Sequence, residues 1–246
     1  MFEEYTQPFD TKFNFTFQQD MLAAVKYEEP VSYTFKNSLE ESLKNIISGY
    51  ECVSGDDYID GIFGSNHDQD RIMSQVEDID KAKLVANIYL TLPGNPFIYY
   101  GEELGMMGKG DDANKREPFI WTDDGSGMDT TWKENDFIGE TDSYETQKND
   151  NNSMYNHYKN MISLRKNYEA LSGGKYDLYK LSDNYSNKIM SYIRYTDNEK
   201  LLVIHNFSGE RIILNEEDIS GMNVIYGELG KDNGISAYGS VILKFN

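Results

Sequence analysis

Cysteine is nearly absent from this 246-residue chain. Cys52 stands alone, so no disulfide can form within the chain, and with no CxxC and no Cys/His cluster the sequence offers no zinc site. Basic residues are scarce too: 23 Lys and Arg face 42 Asp and Glu, a net charge of −19. A field of that sign repels phosphate backbones and anionic lipid surfaces, which excludes the usual nucleic-acid binder. No apolar run approaches the roughly 18 residues of a membrane span, and the opening Met1-Phe2-Glu3-Glu4 has neither the basic nor the long apolar region of a secretory signal. Localisation stays open. What the chain does have is an apolar fraction of 39% and an aromatic fraction of 13%, with 19 Tyr and 12 Phe. That is too apolar for a disordered acidic chain and enough for one large or two small domains.

Periodicity divides the chain in two. Phe13, Phe15 and Phe17 alternate across residues 10 to 17, which predicts a strand. Phe17, Met21, Ala24 and Val25 then mark a short amphipathic helix through Lys26. Ser38 and Glu41 form a capping box for a helix striped by Leu39, Leu43, Ile46 and Ile47, with Gly49 expected to end it. Gly61 to Ser65 reads as a buried strand, residues 80 to 92 as a helix stopped by Pro93-Gly94-Asn95-Pro96, and Phe97 to Tyr100 as another strand. Polar residues follow both strands: Asn66-His67-Asp68 after the first, Glu102-Glu103 after the second. A third helix covers about 152 to 166. From there the period changes to two, with strands expected near 176 to 182, 188 to 196, 199 to 206, 210 to 214, 222 to 226 and 240 to 245, an antiparallel sandwich. Three βα units with polar strand exits suggest part of a parallel barrel, because a full (β/α)8 barrel takes roughly 250 residues and only about 170 precede the sandwich here.

Two segments carry a resemblance: Gly64-Ser65-Asn66-His67-Asp68-Gln69-Asp70-Arg71, and Leu92-Pro93-Gly94-Asn95-Pro96-Phe97-Ile98-Tyr99-Tyr100-Gly101-Glu102-Glu103. In this order, with a helix between, they resemble the seventh and eighth strands of the α-amylase family, glycoside hydrolase family 13. Arg116-Glu117-Pro118-Phe119-Ile120-Trp121 is similar to that family's loop after the eighth strand, and Leu164 to Gly174 to the end of its eighth helix. The resemblance implies the last three units of a (β/α)8 barrel over residues 1–170 and an all-β sandwich over 171–246. It implies a retaining hydrolase of α-1,4-glucosidic bonds in starch or malto-oligosaccharides, with two carboxyl groups doing the covalent chemistry and a third gripping the distorted sugar.

By motif position Asp68 matches that third, transition-state-stabilising carboxylate, and His67 the histidine that binds sugar hydroxyls. Asn66, Arg71 and Trp121 join them as substrate-site candidates. The plain alternatives are a polar turn in which Asp68 caps the next helix, an Arg71 that orients the loop by pairing with Asp68 or Asp70, and core packing for the aromatics. Core packing is favoured for Tyr99 and Tyr100, while Trp121 and Trp132 could equally stack on sugar. The acidic run Asp123 to Asp129 lacks the spacing of a calcium loop and reads as solvated, so no metal or other cofactor is assigned, although an intact parent could carry calcium. His157 and His205 read as a helix-surface and a strand residue. The family's nucleophile and acid/base lie on its fourth and fifth strands, and no residue of this chain matches them. Met1 would fall just after the fifth unit, as in a truncated product or one half of an interrupted gene. The chain alone is therefore expected to be inactive, with an α-glucan and a missing N-terminal barrel half as partners. Two competing readings are a non-catalytic carbohydrate-binding or assembly module, and an independent hydrolase pairing Asp68 with Glu102 or Glu103.

Overall fold

The computed structural model describes residues 11–54, 59–125, 130, 132, 133 and 140–246. Strand β1, Thr11–Phe13, is shorter than the Phe alternation predicts, and helix α1, Phe15–Tyr27, takes over two residues later. Asn14 makes the switch. Its backbone N–H reaches the carbonyl of Gly61 at 2.9 Å as the last bond of the sheet, while its side chain accepts from the N–H of Phe17 at 3.0 Å and so caps the helix. The expected stripe of Phe17, Met21, Ala24 and Val25 is buried. Helix α2, Leu39–Ser54, starts where Ser38 Oγ accepts from the N–H of Glu41 at 3.3 Å. It does not stop at Gly49. One glycine costs a helix only about 1 kcal/mol, and Tyr50, buried in the same core as Leu43 and Ile46, keeps the helix going past it.

Strand β2, Ile59–Phe63, leads through the short helix α3, Ile72–Val76, to α4, Ile79–Thr91, whose cap is Asp78. Strand β3 is Asn95–Phe97, so it starts earlier than predicted and leaves Tyr99 and Tyr100 outside the sheet. The turn into β3 needs Gly94: its φ is 104°, and a Cβ there would lie 2.4 Å from the carbonyl oxygen of Asp60. The three strands are parallel in the order β1-β2-β3, with Phe13 beside Gly61 and Phe63 beside Phe97. Alternation puts Ile62 on the face packed against α1 and α4, in one core with Met21, Leu84 and Ile88. The other face carries Phe13, Ile59, Phe63 and Phe97. There Phe13 meets Phe63 and Phe97 edge-on, with ring centroids 5.3 and 4.7 Å away, while Phe13, Ile59 and Phe97 remain exposed. A parallel sheet normally has both faces covered; here, among the described residues, the second face is buried at Phe63 and open at Phe13, Ile59 and Phe97.

Helix α5, Met154–Asn167, packs against α4. Beyond it lies a five-stranded antiparallel sheet in the order β4-β5-β6-β10-β8, built from Lys175–Leu178, Ile189–Tyr195, Lys200–Asn206, Ser240–Phe245 and Met222–Tyr226. Strands β7, Ile212–Ile213, and β9, Gly234–Ile235, form a two-stranded sheet; β9 lies between the strands expected near 222 to 226 and 240 to 245. Period two sorts the five-stranded sheet cleanly. Met190, Tyr192, Leu201, Val203 and Ile242 join the core of the α/β part, whereas Ile193, Leu202, Ile204, Val241 and Leu243 form a second core with Leu214, Ile219 and Ile235.

Two arginines seal the junction. Arg165 donates to the carbonyls of Leu90, Leu92 and Gly94 at 2.9, 2.7 and 2.6 Å. Arg194, wholly buried, donates to those of Thr91, Leu171, Gly174 and Lys175. Both cations thus sit on carbonyls at the C-terminal end of α4, where the helix dipole is negative.

Candidate substrate site at the exit of the second strand

Asn66, His67 and Asp68 leave β2 at its C-terminal end in a turn closed by the N–H of Asp68 on Asn66 Oδ1 at 2.9 Å. This fixes the turn and leaves the side chains of His67 and Asp68 62% and 67% exposed, with His67 Nε2 3.4 Å from Asp68 Oδ1. Asp68 does not cap the next helix, because α3 begins after Arg71 and has no side-chain cap. Its carboxylate pairs instead with Arg116, whose Nη2 lies 3.0 Å from Oδ1 and whose Nε donates to the His67 carbonyl at 3.1 Å. Lys115 Nζ donates to the carbonyl of Asp68 at 3.1 Å. Both cations come from a single helical turn, Asp112–Lys115 with its C-cap Arg116, in the loop after β3. That loop therefore clamps the turn through its backbone and its acid at once. Sequence reading assigned Lys115 and Arg116 no role; a basic pair in so acidic a chain was the available signal.

Arg71 is where expectation and structure part. It pairs with neither Asp68 nor Asp70: the latter accepts from the N–H of Gly110 at 3.0 Å, and Arg71 points inward, 1% exposed. Its Nη1 donates to the carbonyl of Tyr100 at 2.6 Å, and its guanidinium lies 4.7 and 4.8 Å from the ring centres of Tyr99 and Tyr100. Burial lowers its pKa, against the opposing pull of the Tyr99 and Tyr100 hydroxyls and of Glu102 and Glu117. Tyr99 and Tyr100 are therefore not core residues of a strand. They flank a buried cation, and their hydroxyls donate to the carbonyls of Lys115 and Glu117 at 3.2 and 2.9 Å, which carries the clamp back to the sheet. Gly101, at φ 86°, permits this packing, since a Cβ there would sit 3.0 Å from Arg71 Nη1 and 2.5 Å from Met106 Sδ.

Glu102 is buried beneath the same turn. Its Oε1 accepts from the N–H and the hydroxyl of Ser65 at 2.9 and 2.6 Å, and Oε2 from the Tyr89 hydroxyl at 3.0 Å. Burial pushes its pKa up to about 7, against those hydrogen bonds. Glu103 Oε2 accepts from the N–H of Gly101 at 2.8 Å, and burial raises its pKa as well. Both oxygens of Glu102 are thus engaged beneath the turn, while Glu103 holds the Gly101 backbone with one of its two. Trp121 is 36% exposed and packs on Phe119 and Tyr144, with ring centres 4.5 and 5.7 Å away. Trp132 is exposed, and residues 126–129 of the acidic run lie outside the described residues.

The other histidines are not site residues. His157 is held against the Lys83 carbonyl at 3.3 Å, and burial brings its pKa down to about 4. His205 lies wholly inside the strand junction between Tyr192 and Ser240, and burial brings its pKa down to about 3. Among the described residues, no group of three His, Cys, Asp or Glu side chains could hold a metal ion, and no helix is long and apolar enough to cross a membrane.

Parallel βα units with exposed polar groups at a strand exit, followed by an antiparallel β domain, define part of a (β/α) barrel of the kind whose functional groups lie at the C-terminal ends of its strands. The family comparisons make this specific. The model of the alpha-amylase catalytic domain matches residues 1–174, and that of the alpha-amylase SusG C-terminal domain matches 189–242. Alpha-amylase 3 of Dictyoglomus thermophilum is 34% identical over 250 residues, 98% of this chain and 48% of that enzyme. Alpha-amylase SusG of Bacteroides thetaiotaomicron is 36% identical over 190 residues, 74% of this chain and 28% of that protein. The crystal structure of the alpha-amylase from H. orenii superposes with a TM-score of 0.82 at 31% identity, covering 100% of this chain and 52% of that one. The chain belongs to the α-amylase family of glycoside hydrolases, and it spans about half the length of the Dictyoglomus and H. orenii relatives.

Proposed function

We propose that this chain supplies the substrate-gripping part of an α-glucan hydrolase whose nucleophile and acid/base are carried by barrel units outside it. The observation that carries the reading is the exposed His67-Asp68 pair at the exit of a parallel strand, held by Arg116 in a chain of this family. The substrate class follows the relatives named α-amylases. Asp68 hydrogen-bonds sugar hydroxyls most strongly as the ring flattens towards the oxocarbenium-like transition state, so its binding energy goes into rate. His67 binds hydroxyls of the same sugar, and Asn66 keeps the turn in shape through its bond to the Asp68 N–H. Arg71, being buried, acts from beneath the turn, and Trp121 offers a half-exposed ring to the apolar face of a sugar further along the chain. The bond cleaved is α-1,4-glucosidic, with retention. A boundary between barrel and sandwich units near residue 170 fits this reading.

On this reading the chain alone should not turn over maltoheptaose, because the nucleophile and the acid/base come from barrel units outside it. Adding a polypeptide that carries the N-terminal barrel units of the Dictyoglomus relative should bring turnover, and Asp68→Asn in the mixture should remove it. Turnover by the purified chain alone would refute the reading.

A further inference from the structure

Glu102 has no part in the proposed chemistry, yet its carboxyl lies directly under the turn that carries Asp68. It takes two hydrogen bonds from one residue, the N–H and the hydroxyl of Ser65, and Ser65 immediately precedes Asn66. The far end of the turn is tied as well, by the N–H of Arg71 on the Gly108 carbonyl at 2.9 Å. We propose that Glu102 is a positioning residue for Asp68, acting through Ser65; the inference rests on the reading of Asp68 as a substrate-gripping carboxylate.

A carboxylate bonded to both the backbone and the hydroxyl of one residue fixes that residue's backbone and χ1 together, and bonds to an ionised acceptor are the strong ones. The placement matters because a misplacement of about 1 Å at a reacting sugar costs on the order of 10²-fold in rate. Tyr89 on α4, Tyr158 on α5, the neighbouring Glu103 and the buried Arg71 are the titratable and charged groups around Glu102. With its pKa near 7, the carboxyl changes charge around neutrality, and its hold on Ser65 is strongest when it is ionised.

The test uses the full chain carrying Glu102→Gln, Glu102→Ala or Ser65→Ala, read first by amide NMR and then by kinetics after mixing with the N-terminal portion of the Dictyoglomus relative. In the unaltered chain the Ser65 amide proton should shift with a midpoint near pH 7, and Glu102→Gln should abolish that shift. After mixing, Glu102→Gln should keep kcat within about threefold, since its amide oxygen still accepts from Ser65, but should flatten the pH dependence of kcat/KM near 7. Glu102→Ala should lower kcat about tenfold with a smaller change in KM, and Ser65→Ala should fall between. Should Glu102→Ala fail to fold, the Gln and Ser65 variants carry the test. A Ser65 amide indifferent to pH from 5 to 9, or equal losses in the Gln and Ala variants with an unchanged pH profile, would overturn the proposal. Absence of turnover in the unaltered mixture would sink the functional reading instead, while the amide titration would still decide what Glu102 does to Ser65.

Discussion

The open face of the three-stranded sheet makes a quantitative prediction. Phe13 and Phe97 sit side by side on it, 48% and 46% exposed, with ring centres 4.7 Å apart. A phenylalanine presents about 200 Å², so each ring leaves roughly 90 Å² in water, and covering both would gain about 4 kcal/mol at ~25 cal/mol/Å². That corresponds to about a 10³-fold change in a dissociation constant. The chain on its own should therefore associate through this face at micromolar concentration. The double change Phe13→Lys, Phe97→Lys should weaken association by about that factor while sparing the helical signal, because neither ring fills the core between sheet and helices. Sedimentation velocity across a hundredfold concentration range reads both species. A chain that stays monomeric at 100-fold dilution and at full concentration alike, or association unchanged by the double variant, would show that this face is not the sticky surface it looks to be.

Arg194→Met should cost about 3 to 5 kcal/mol, since it leaves the carbonyls of Thr91, Leu171, Gly174 and Lys175 without their shared buried donor. Urea unfolding followed by circular dichroism would show it, and a loss under about 1 kcal/mol would contradict the packing described. His205 has its folded pKa depressed to about 3 from 6.5, so the unfolded chain binds more protons between those values; stability is full above pH 6.5 and falls on acidification. The slope should approach 1.4 kcal/mol per pH unit, and the difference between the unaltered chain and His205→Gln should show it directly. Glu40 and Glu102, raised to about 7, act in the opposite direction, lowering stability as pH rises from 4.5 to 7, so only that difference isolates the histidine.

Much of this molecule is local. Period-two runs in β5, β6 and β10 sorted their residues onto two faces because a strand's side chains must alternate, whatever they pack against. The cap at Ser38 and the Asn66-His67-Asp68 turn are likewise set by neighbours a few residues away. Sequence alone therefore revealed the parallel units, the sandwich and the family. It misplaced the ends of β1 and β3 where a capping asparagine and a buried arginine, each answering to residues about 30 to 50 positions away, outweighed strand propensity.

The site itself was only half legible for the same reason. His67 and Asp68 announce themselves by motif, but what holds them is spread across the chain: Arg116 reaches back 48 residues to Asp68, and Glu102 reaches back 37 to Ser65. Folding alone brought those partners into contact and turned Arg71 inward, because burial and hydrogen-bond satisfaction are properties of the packed whole that no local pattern records.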